Sequence, residues 1–349
     1  MATAKTPIIE VNDVRRSFRS IKKKEGFKGA LDVLFNPEYQ VHEALKGVSF
    51  SIDEGALVGL IGANGAGKTT LLKILSGLIP PTSGEAQVMG YKPFDRSLDF
   101  RQRISLVMGQ KAQLWWDLPG IDAFELLRAI YEIPKDVYKK HVQELSEMLD
   151  VGKHLNTQIR RLSLGERMKM ELIGALLHWP EVIFLDEPTI GLDVMAASSL
   201  RKFLKNYNLA LHKGKNGRES RSTMIITSHN MDDIESLCSR ILILKDGELI
   251  FDGSPKKLHK TEEKQLRVRL TKVPSIEDLS QVTGLPQDKI LLTEENQESE
   301  NIDMLRFKVS PKQMPAVLQA VMNRYEVIEM GVEEQSLEDA IKTIFEGSV

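Results

Sequence analysis

The chain has 349 residues, 42% of them hydrophobic and 28% charged, which is typical of a globular protein and excludes a disordered chain. Its 47 basic and 49 acidic residues leave a formal net charge of −2, so the overall charge does not favour binding to nucleic acid or to an anionic membrane. The length is sufficient for two domains, or for one large domain with an appendage.

The start of the chain has no apolar core of the length that a signal peptide requires. No apolar run approaches the roughly 18 residues of a membrane-spanning helix, so we expect the chain not to cross a membrane. Ile8–Val11 and Val48–Ile52 are rich in β-branched residues and are predicted to be strands of a first sheet. Between them, residues 19–43 are predicted to form an insertion with a basic start at Lys22–Lys24. An apolar stretch follows at Phe27, Leu31, Leu34 and Phe35.

A glycine-rich loop follows the apolar strand predicted at Ala56–Ile61. The segment Gly62-Ala63-Asn64-Gly65-Ala66-Gly67-Lys68-Thr69 matches the pattern G-x-x-x-x-G-K-[ST]. Glycines let the backbone bend so that N–H groups converge on phosphate oxygens, and a helix predicted from Lys68 to Leu75 directs its positive end at them. Lys68 supplies a cation for the β- and γ-phosphates, and Thr69 a hydroxyl for Mg²⁺. Residues 62–69, with Thr70, are therefore predicted to bind a nucleotide.

The pattern becomes helical between Ile121 and Leu177, where apolar residues recur at intervals of three and four. Within this region, Ser163 and Glu166 have the spacing of a capping box, with Ser163 as the N-cap. A capped helix N-terminus beside a glycine, here Gly165, is also typical of an anion-binding site. Both interpretations can hold at once.

Two further apolar strands are followed by residues that can act on a nucleotide. Val182–Leu185 ends in Asp186 and Glu187, and nucleotides bind where the strands of an α/β sheet end. Asp186 is predicted to hold Mg²⁺, and Glu187 to polarise the attacking water. His229, which follows the strand predicted at Met224–Thr227, could contact the γ-phosphate, although a lone histidine after a strand is usually structural.

The strands interleaved with helices indicate an α/β core, which ends with a strand at Ile241–Leu244. Cys238 is the only cysteine, which excludes a disulfide framework within the chain and fits a reducing cytoplasm. Leu211–Ser222, rich in Gly, Lys, Arg and Ser, is predicted to be an exposed loop.

The character of the sequence changes after Gly253-Ser254-Pro255. We predict a small α+β domain over residues 261–349. Its predicted elements are strands at Leu266–Leu270 and Met304–Val309, a polar loop at Glu294–Asn301, and helices at Met314–Met322 and Leu337–Phe345.

From residue 8 to about 255 the sequence resembles the ATP-binding cassette (ABC) family. The motifs occur in the family's order: the glycine loop, Gln110, the signature at 162–166, Asp186-Glu187, Gly191-Leu192-Asp193 and Ser228-His229. The resemblance implies a P-loop NTPase (RecA-like) α/β core with an antiparallel β subdomain and an α-helical subdomain at about 111–180, all within residues 1–260. It departs from the family at Leu164, where a second glycine is usual, and at Glu166, where glutamine is commoner.

The resemblance also implies roles for individual residues. Gln110 would sense the γ-phosphate and the permease and contact Mg²⁺. Ser163 and Gly165 of a second subunit would close over the γ-phosphate, and Phe18 would stack on adenine. Glu187, His229 and Lys68 would be the catalytic residues.

On this basis the chain is expected to be the ATP-hydrolysing subunit of an ABC transporter. Its ligands would be ATP and Mg²⁺, and its partners a membrane permease and a second ATP-binding subunit, identical or a paralogue, with no nucleic acid. It would be cytoplasmic and peripheral on the inner face of the cell membrane. Export is favoured over import, and a soluble cassette ATPase of translation or DNA maintenance is a third possibility.

Two segments are open to more than one interpretation. Trp115-Trp116 lie where this family meets its permease, so they are candidate contacts, or else both pack inside the helical region. The 19–43 insertion could lie against lipid headgroups or the permease, or be a solvated charged segment. Such an insertion, and a C-terminal domain resembling the regulatory domain of drug-export ATPases, favour export.

Overall fold

The computed structural model describes residues 7–21, 39–109, 111–213, 219–258, 264–297 and 300–333, and the single residues 337 and 341. The chain divides into two compact units, Met1–Gly253 and Ser254–Val349, a few residues before the division predicted after residue 260. No helix within the described ranges combines the length and the apolar character needed to cross a membrane.

The first unit contains an antiparallel sheet in the order β2-β1-β4. Its strands are β1 (Ile9–Ile21), β2 (Tyr39–Ile52) and β4 (Ser83–Val88). Strands β1 and β2 stay paired as far as Ile21 and Tyr39, so the predicted insertion at 19–43 is too long: residues 19–21 and 39–43 belong to the hairpin. The backbone groups of these mostly polar residues are satisfied by pairing across the hairpin. The rest of the insertion, with its lysines and apolar residues, lies outside the described residues.

A second sheet has the order β11-β10-β3-β9-β6-β5 in the described part of this unit. Its strands are β3 (Leu57–Gly62), β5 (Ile104–Met108), β6 (Val182–Asp186), β9 (Thr223–Thr227), β10 (Arg240–Lys245) and β11 (Glu248–Gly253). All neighbouring pairs are parallel except β10 with β11. The sequences of parallel strands are continuous apolar runs, because both faces of a parallel sheet are covered. The carboxyl ends of β3, β6 and β9 lie at one edge of the sheet. Asp186, Thr227 and the loop that begins at Gly62 therefore lie at the same edge.

Helices accompany these strands in the first unit. They are α1 (Lys68–Leu75), α2 (Leu98–Arg101), α3 (Gly120–Ile130), α4 (Lys135–Met148), α5 (Leu164–Leu176), α6 (Val194–Leu209) and α7 (Met231–Leu237). Helices α3, α4 and α5 make up the region predicted as helical. The segment 211–222 is not simply an exposed loop: β7 (His212–Lys213) pairs with β8 (Glu219–Ser220). Ser222 is buried and donates a hydrogen bond to the carbonyl of Pro180.

The second unit is a sheet in the order β13-β14-β12-β15 with two helices described. Its elements are β12 (Lys264–Leu270), α8 (Ile276–Thr283), β13 (Ile290–Gln297), β14 (Glu300–Val309), α9 (Met314–Arg324) and β15 (Val327–Glu333). The predicted polar loop at 294–301 is wrong, because Glu294–Gln297 pair antiparallel with Glu300–Asp303. Polar residues suit such a hairpin end, since cross-strand pairing satisfies the backbone without burial. Most of the helix predicted at 337–345 lies outside the described residues.

Candidate functional site

The glycine loop joins β3 to α1, and three of its glycines are required for different reasons. Gly67 has φ +104°, and a Cβ there would lie 2.5 Å from the carbonyl oxygen of Ala44. Gly65 has φ +84° in open space, so its backbone conformation alone favours glycine. At Gly62 a Cβ would lie 2.5 Å from the carbonyl oxygen of Leu244. The loop therefore runs close to the backbone of β2 and β10.

Lys68 begins α1 with its side chain almost fully buried. Its Nζ donates hydrogen bonds to the carbonyl oxygens of Gly62, at 2.6 Å, and Ala63, at 3.1 Å. Burial lowers the pKa of the Lys68 ammonium, and the Glu187 and Asp186 carboxylates oppose this lowering. The cation is thus held inside the loop, facing the carboxylates at the end of β6.

The predicted magnesium residues lie in contact. Thr69 Oγ1 donates to Asp186 Oδ2 at 2.8 Å, and Thr227 Oγ1 donates to Asp186 Oδ1 at 2.7 Å. Hydroxyl and carboxylate oxygens suit Mg²⁺, which keeps several waters and binds phosphates as well as a few protein groups. The described residues include no cluster of three or more His, Cys, Asp or Glu side chains that could enclose a metal. The residues present therefore fit a magnesium ion that is shared with a phosphate ligand.

Glu187 follows Asp186 with φ +53°. Its backbone N–H donates to Thr227 Oγ1 at 2.9 Å, and its Oε1 lies 2.5 Å from His229 Nε2. The structure thus brings Glu187 and His229 together, as their positions after neighbouring strands suggest. Thr227 links both acidic residues and was missed by the sequence reasoning. Its position could have identified it, because Thr227 is the last residue of the strand that precedes His229.

Glycine is also needed at position 109, just before Gln110. A Cβ at Gly109 would lie 2.0 Å from the carbonyl oxygen of Glu187, and the Gly109 N–H donates to the carbonyl of Asp186 at 2.8 Å. The chain that leads to Gln110 therefore passes against the backbone of the acidic pair. Gln110 itself lies outside the described residues, so its predicted contacts with phosphate and Mg²⁺ stay predictions.

A buried carboxylate, Asp233 in α7, ties together the segments around His229. Its side chain is 0% exposed and accepts three hydrogen bonds. The donors are Arg201 Nη1 at 2.6 Å, Thr189 Oγ1 at 2.5 Å and Ser228 Oγ at 2.7 Å. Asp233 is thus joined to the residue before His229 and to the loop after Glu187, a role with no counterpart in the sequence motifs.

Asp233→Asn is expected to lower the ATPase kcat by about tenfold or more while changing nucleotide affinity little, because the loop that carries His229 loses its anchor. Removing the charge of one partner in a buried ion pair lowers the free energy of unfolding by about 3–5 kcal/mol. The melting temperature should therefore fall by at least about 5 °C. Steady-state kinetics, calorimetric titration with nucleotide and thermal melting measure the three quantities. The exposed neighbour Asp232 provides the control, Asp232→Asn. An unchanged kcat in a destabilised Asp233→Asn protein would leave Asp233 a purely structural residue.

The predicted signature residues lie at the N-terminus of α5. The capping box is confirmed: Ser163 Oγ accepts from the Glu166 N–H, and the Glu166 carboxylate accepts from the Ser163 N–H. These hydrogen bonds from Ser163 hold the pKa of Glu166 below its usual value. A Cβ at Gly165 would lie 3.2 Å from Ala196 Cβ. In the described part of the chain, no hydrogen bond joins Ser163 or Gly165 to residues 62–69.

The predicted aromatic contacts are on the surface. Trp115 and Trp116 are 44% and 51% exposed, so the interpretation in which both pack inside the helical region is wrong. The guanidinium of Arg167 lies 5.3 Å from the ring centre of Trp116. Phe18, on β1 opposite His42, is also exposed, with the Arg16 guanidinium 4.7 Å from its ring centre.

Comparison with known proteins gives consistent similarities. Residues 45–190 match the family described as ABC transporter. The chain is 34% identical over 257 residues to the uncharacterized ABC transporter ATP-binding protein all4389 of Nostoc sp. PCC 7120, covering 73% of this chain and 69% of that protein. It is 32% identical over 210 residues to the linearmycin resistance ATP-binding protein LnrL of Bacillus subtilis, covering 60% and 64%.

Among solved structures, the chain is similar to a dimeric post-hydrolysis state of the ATP-binding cassette MJ0796 bound to ADP and Pi. The TM-score is 0.56 and the sequence identity 25%, over 70% of this chain and 98% of that one. The similarity in fold thus spans nearly all of that cassette.

Proposed function

This chain belongs to the ABC transporter ATP-binding proteins, and from that premise we propose that it binds and hydrolyses ATP to drive export through a separate membrane permease. The observation that carries the proposal is the hydrogen bond from Thr69 to Asp186, 2.8 Å long. It joins the glycine loop to the end of β6, where Glu187 and His229 lie in contact. Phosphate-binding and water-activating groups therefore share one edge of the sheet.

ATP would bind with its phosphates along residues 62–70. In the structure the Lys68 ammonium donates to two carbonyls of its own loop, and phosphate oxygens would replace them as acceptors. The N–H groups of the loop and the positive end of α1 add further donors. Adenine would stack on Phe18, whose ring is exposed on β1.

Mg²⁺ would be held by Thr69 and Asp186, with Gln110 as a further proposed ligand. The ion would neutralise charge on the β- and γ-phosphate oxygens. Because Asp186 also accepts a hydrogen bond from Thr227, its carboxylate is oriented before any ligand binds. The binding order and the ion's occupancy can be followed by titration with Mg²⁺ and nucleotide.

Hydrolysis would use the pair formed by Glu187 and His229. The Glu187 carboxylate would orient a water and take its proton while the water oxygen bonds to the γ-phosphorus, and the bond from that phosphorus to the ADP oxygen breaks. His229, which contacts Glu187 in this structure, would contact the γ-phosphate. Thr227 supports both groups, since it bonds the Glu187 N–H and begins the segment that carries His229.

We propose that two ATP-binding subunits, identical or paralogous, sandwich two ATP molecules. Each chain would then supply part of both sites, with Ser163 and Gly165 of one subunit completing the site of the other. Val194 and Met195, which begin α6, are 80% and 79% exposed. Apolar side chains so exposed beside Ala196, the neighbour of Gly165, suit a surface that is covered in a dimer.

The permease would contact the surface at Trp115 and Trp116. Beside it, Leu114 and Glu171 line a groove of about 400 Å³. This contact would hold the cytoplasmic protein at the inner face of the membrane, as a peripheral subunit. Similarity to a resistance protein, LnrL, supports export, whereas import would be favoured if the co-purifying permease came with a solute-binding protein.

The permease proposal is tested by isolating the tagged protein from mild detergent extracts of its own cells and identifying the membrane protein that accompanies it. Trp115→Ala/Trp116→Ala is expected to reduce the recovered permease by about tenfold or more, because exposed aromatic anchors dominate such contacts. Ile328→Ala, which removes an exposed apolar side chain in the second unit, is the matched control. Recovery with ribosomal or DNA fractions, and with no membrane protein, would instead support the soluble alternative.

A further inference from the structure

A large cavity lies within the first unit and contains none of the residues assigned to ATP. It measures about 990 Å³, at the upper end of the range of small-molecule sites. One face of α4 lines it through Val137, His141, Glu144 and Met148, which are positions i, i+4, i+7 and i+11. His178 and Trp179, which follow α5, also line it, together with Ala210, Leu211, His212 and Glu219.

Aromatic rings form much of the cavity lining. Tyr131 and His178 stack with their ring centres 3.9 Å apart and their planes 3° apart. Trp179 stacks on His212 at 4.3 Å and meets His141 edge-on at 4.5 Å. Trp179 also has φ +50°, a strained conformation for a bulky residue. The fold therefore holds a large aromatic side chain in the cavity wall at a cost to the backbone.

Burial and hydrogen bonds favour the neutral form of the histidines in this cavity. His141 Nδ1 donates to the carbonyl of Leu177, and its Nε2 accepts from Trp179 Nε1, so no second proton can be placed on the ring. His178 Nε2 donates to the carbonyl of Ile104 at 3.0 Å. Burial lowers the pKa of His178 to about 4 and also lowers that of His141 and His212. Neutral rings would present π faces to the cavity without adding positive charge to it.

His178 Nδ1 is a buried acceptor that lacks a hydrogen-bond partner among the described residues. Because Nε2 already carries the proton for Ile104, Nδ1 has a free lone pair. A buried polar atom without a partner costs about 1–3 kcal/mol. The fold thus holds His178 in the cavity wall at a cost, as it does Trp179.

The charged side chains of the lining are mainly acidic. Those described are Glu132, Glu144, Glu147, Glu219 and Lys140. Lys140 lies 3.6 Å from Glu144, which cancels one negative charge and leaves a surplus of carboxylates. Charges around a concave apolar surface concentrate ions of the opposite sign.

We propose that this cavity binds a small organic cation that carries a flat aromatic ring and N–H donors. The ring would lie against the aromatic wall at Tyr131 and Trp179, where π faces attract a cation as well as an apolar surface. The N–H groups would reach the carboxylates of Glu132 and Glu144. Each part of the lining thus matches one feature of the ligand.

The test compares three probes with the same tricyclic shape, added to the full-length protein at neutral pH. They are 9-aminoacridine, a cation with N–H donors; acridine, which is neutral; and 9-anthracenecarboxylate, an anion. Calorimetric titration gives each affinity. Quenching of Trp179 fluorescence in a Trp115→Phe/Trp116→Phe protein locates the probe, because the chain has only three tryptophans.

The aminoacridine is expected to bind at least about tenfold more tightly than either other probe. Glu132→Gln/Glu144→Gln should weaken it by about tenfold, because the two carboxylates of the lining lose their charge. Glu277→Gln, the same change at an exposed site in the second unit, should have no effect. Equal affinity for the three probes, or affinity unaltered by the double substitution, would overturn the proposal. Calorimetric binding of an oligoarginine peptide, with no binding of 9-aminoacridine, would also overturn it, in favour of a basic protein segment.

Discussion

Lys68→Ala is expected to reduce ATP turnover by at least about 10²–10³-fold, the usual cost of removing a charged group aimed at developing phosphate charge. Nucleotide affinity should fall as well, since no other cation of the described residues is held within residues 62–69. The side chain is buried in the loop and donates to the loop's own carbonyls, so its ammonium is already near the proposed phosphate position. A coupled assay of phosphate release and a calorimetric titration with Mg-ATP measure both effects.

The control for this substitution is Lys73→Ala. Lys73 lies in the last turn of the same helix, α1, so the change removes an equal charge away from the loop. Lys73→Ala should retain turnover. Circular dichroism of both variants would establish that the fold is intact. Turnover by Lys68→Ala at the wild-type rate would refute the role of Lys68 in catalysis.

Glu187→Gln is expected to bind Mg-ATP with little change in affinity, yet to lose turnover by about 10²–10⁴-fold, the contribution typical of a general base. Glutamine keeps the shape of the side chain, and the N–H bond to Thr227 is unaffected because it belongs to the backbone. Without hydrolysis, the ATP-bound dimer should accumulate. Size-exclusion chromatography with light scattering, in saturating Mg-ATP, measures the dimer fraction.

A double substitution tests the ATP-dependent dimer separately from the role of Glu187 as the general base. Glu187→Gln/Ser163→Arg places a bulky cation at the tip of α5 while leaving the glycine loop untouched, so this variant should bind ATP and remain monomeric. If Glu187→Gln alone stays monomeric at saturating ATP, the proposed sandwich fails, even if the loss of turnover is observed. If Glu187→Gln hydrolyses ATP normally, the assignment of the base fails.

Local sequence predicted those parts of the molecule whose geometry depends on neighbouring residues. The loop at 62–69 and the capping box at Ser163 and Glu166 are such cases, since their conformation follows from glycine and from side chains three positions apart. The strand that ends in Asp186 was predicted from its apolar run. The long β1–β2 hairpin and the hairpin at 294–303 were not, because polar residues become strands there only through the pairing of their backbones.

The sequence by itself therefore determined the α/β core, the phosphate loop and the acidic strand end, because each is formed by elements whose pattern lies within a continuous stretch of residues. Only the tertiary structure decided that Thr227 bonds both to Asp186 and to the backbone of Glu187, since this depends on the parallel register of β6 and β9. The same holds for Asp233, which meets Thr189 and Arg201 from separate elements, and for the aromatic cavity beside α4. Contacts between residues far apart in the chain arise from packing, which no local pattern encodes.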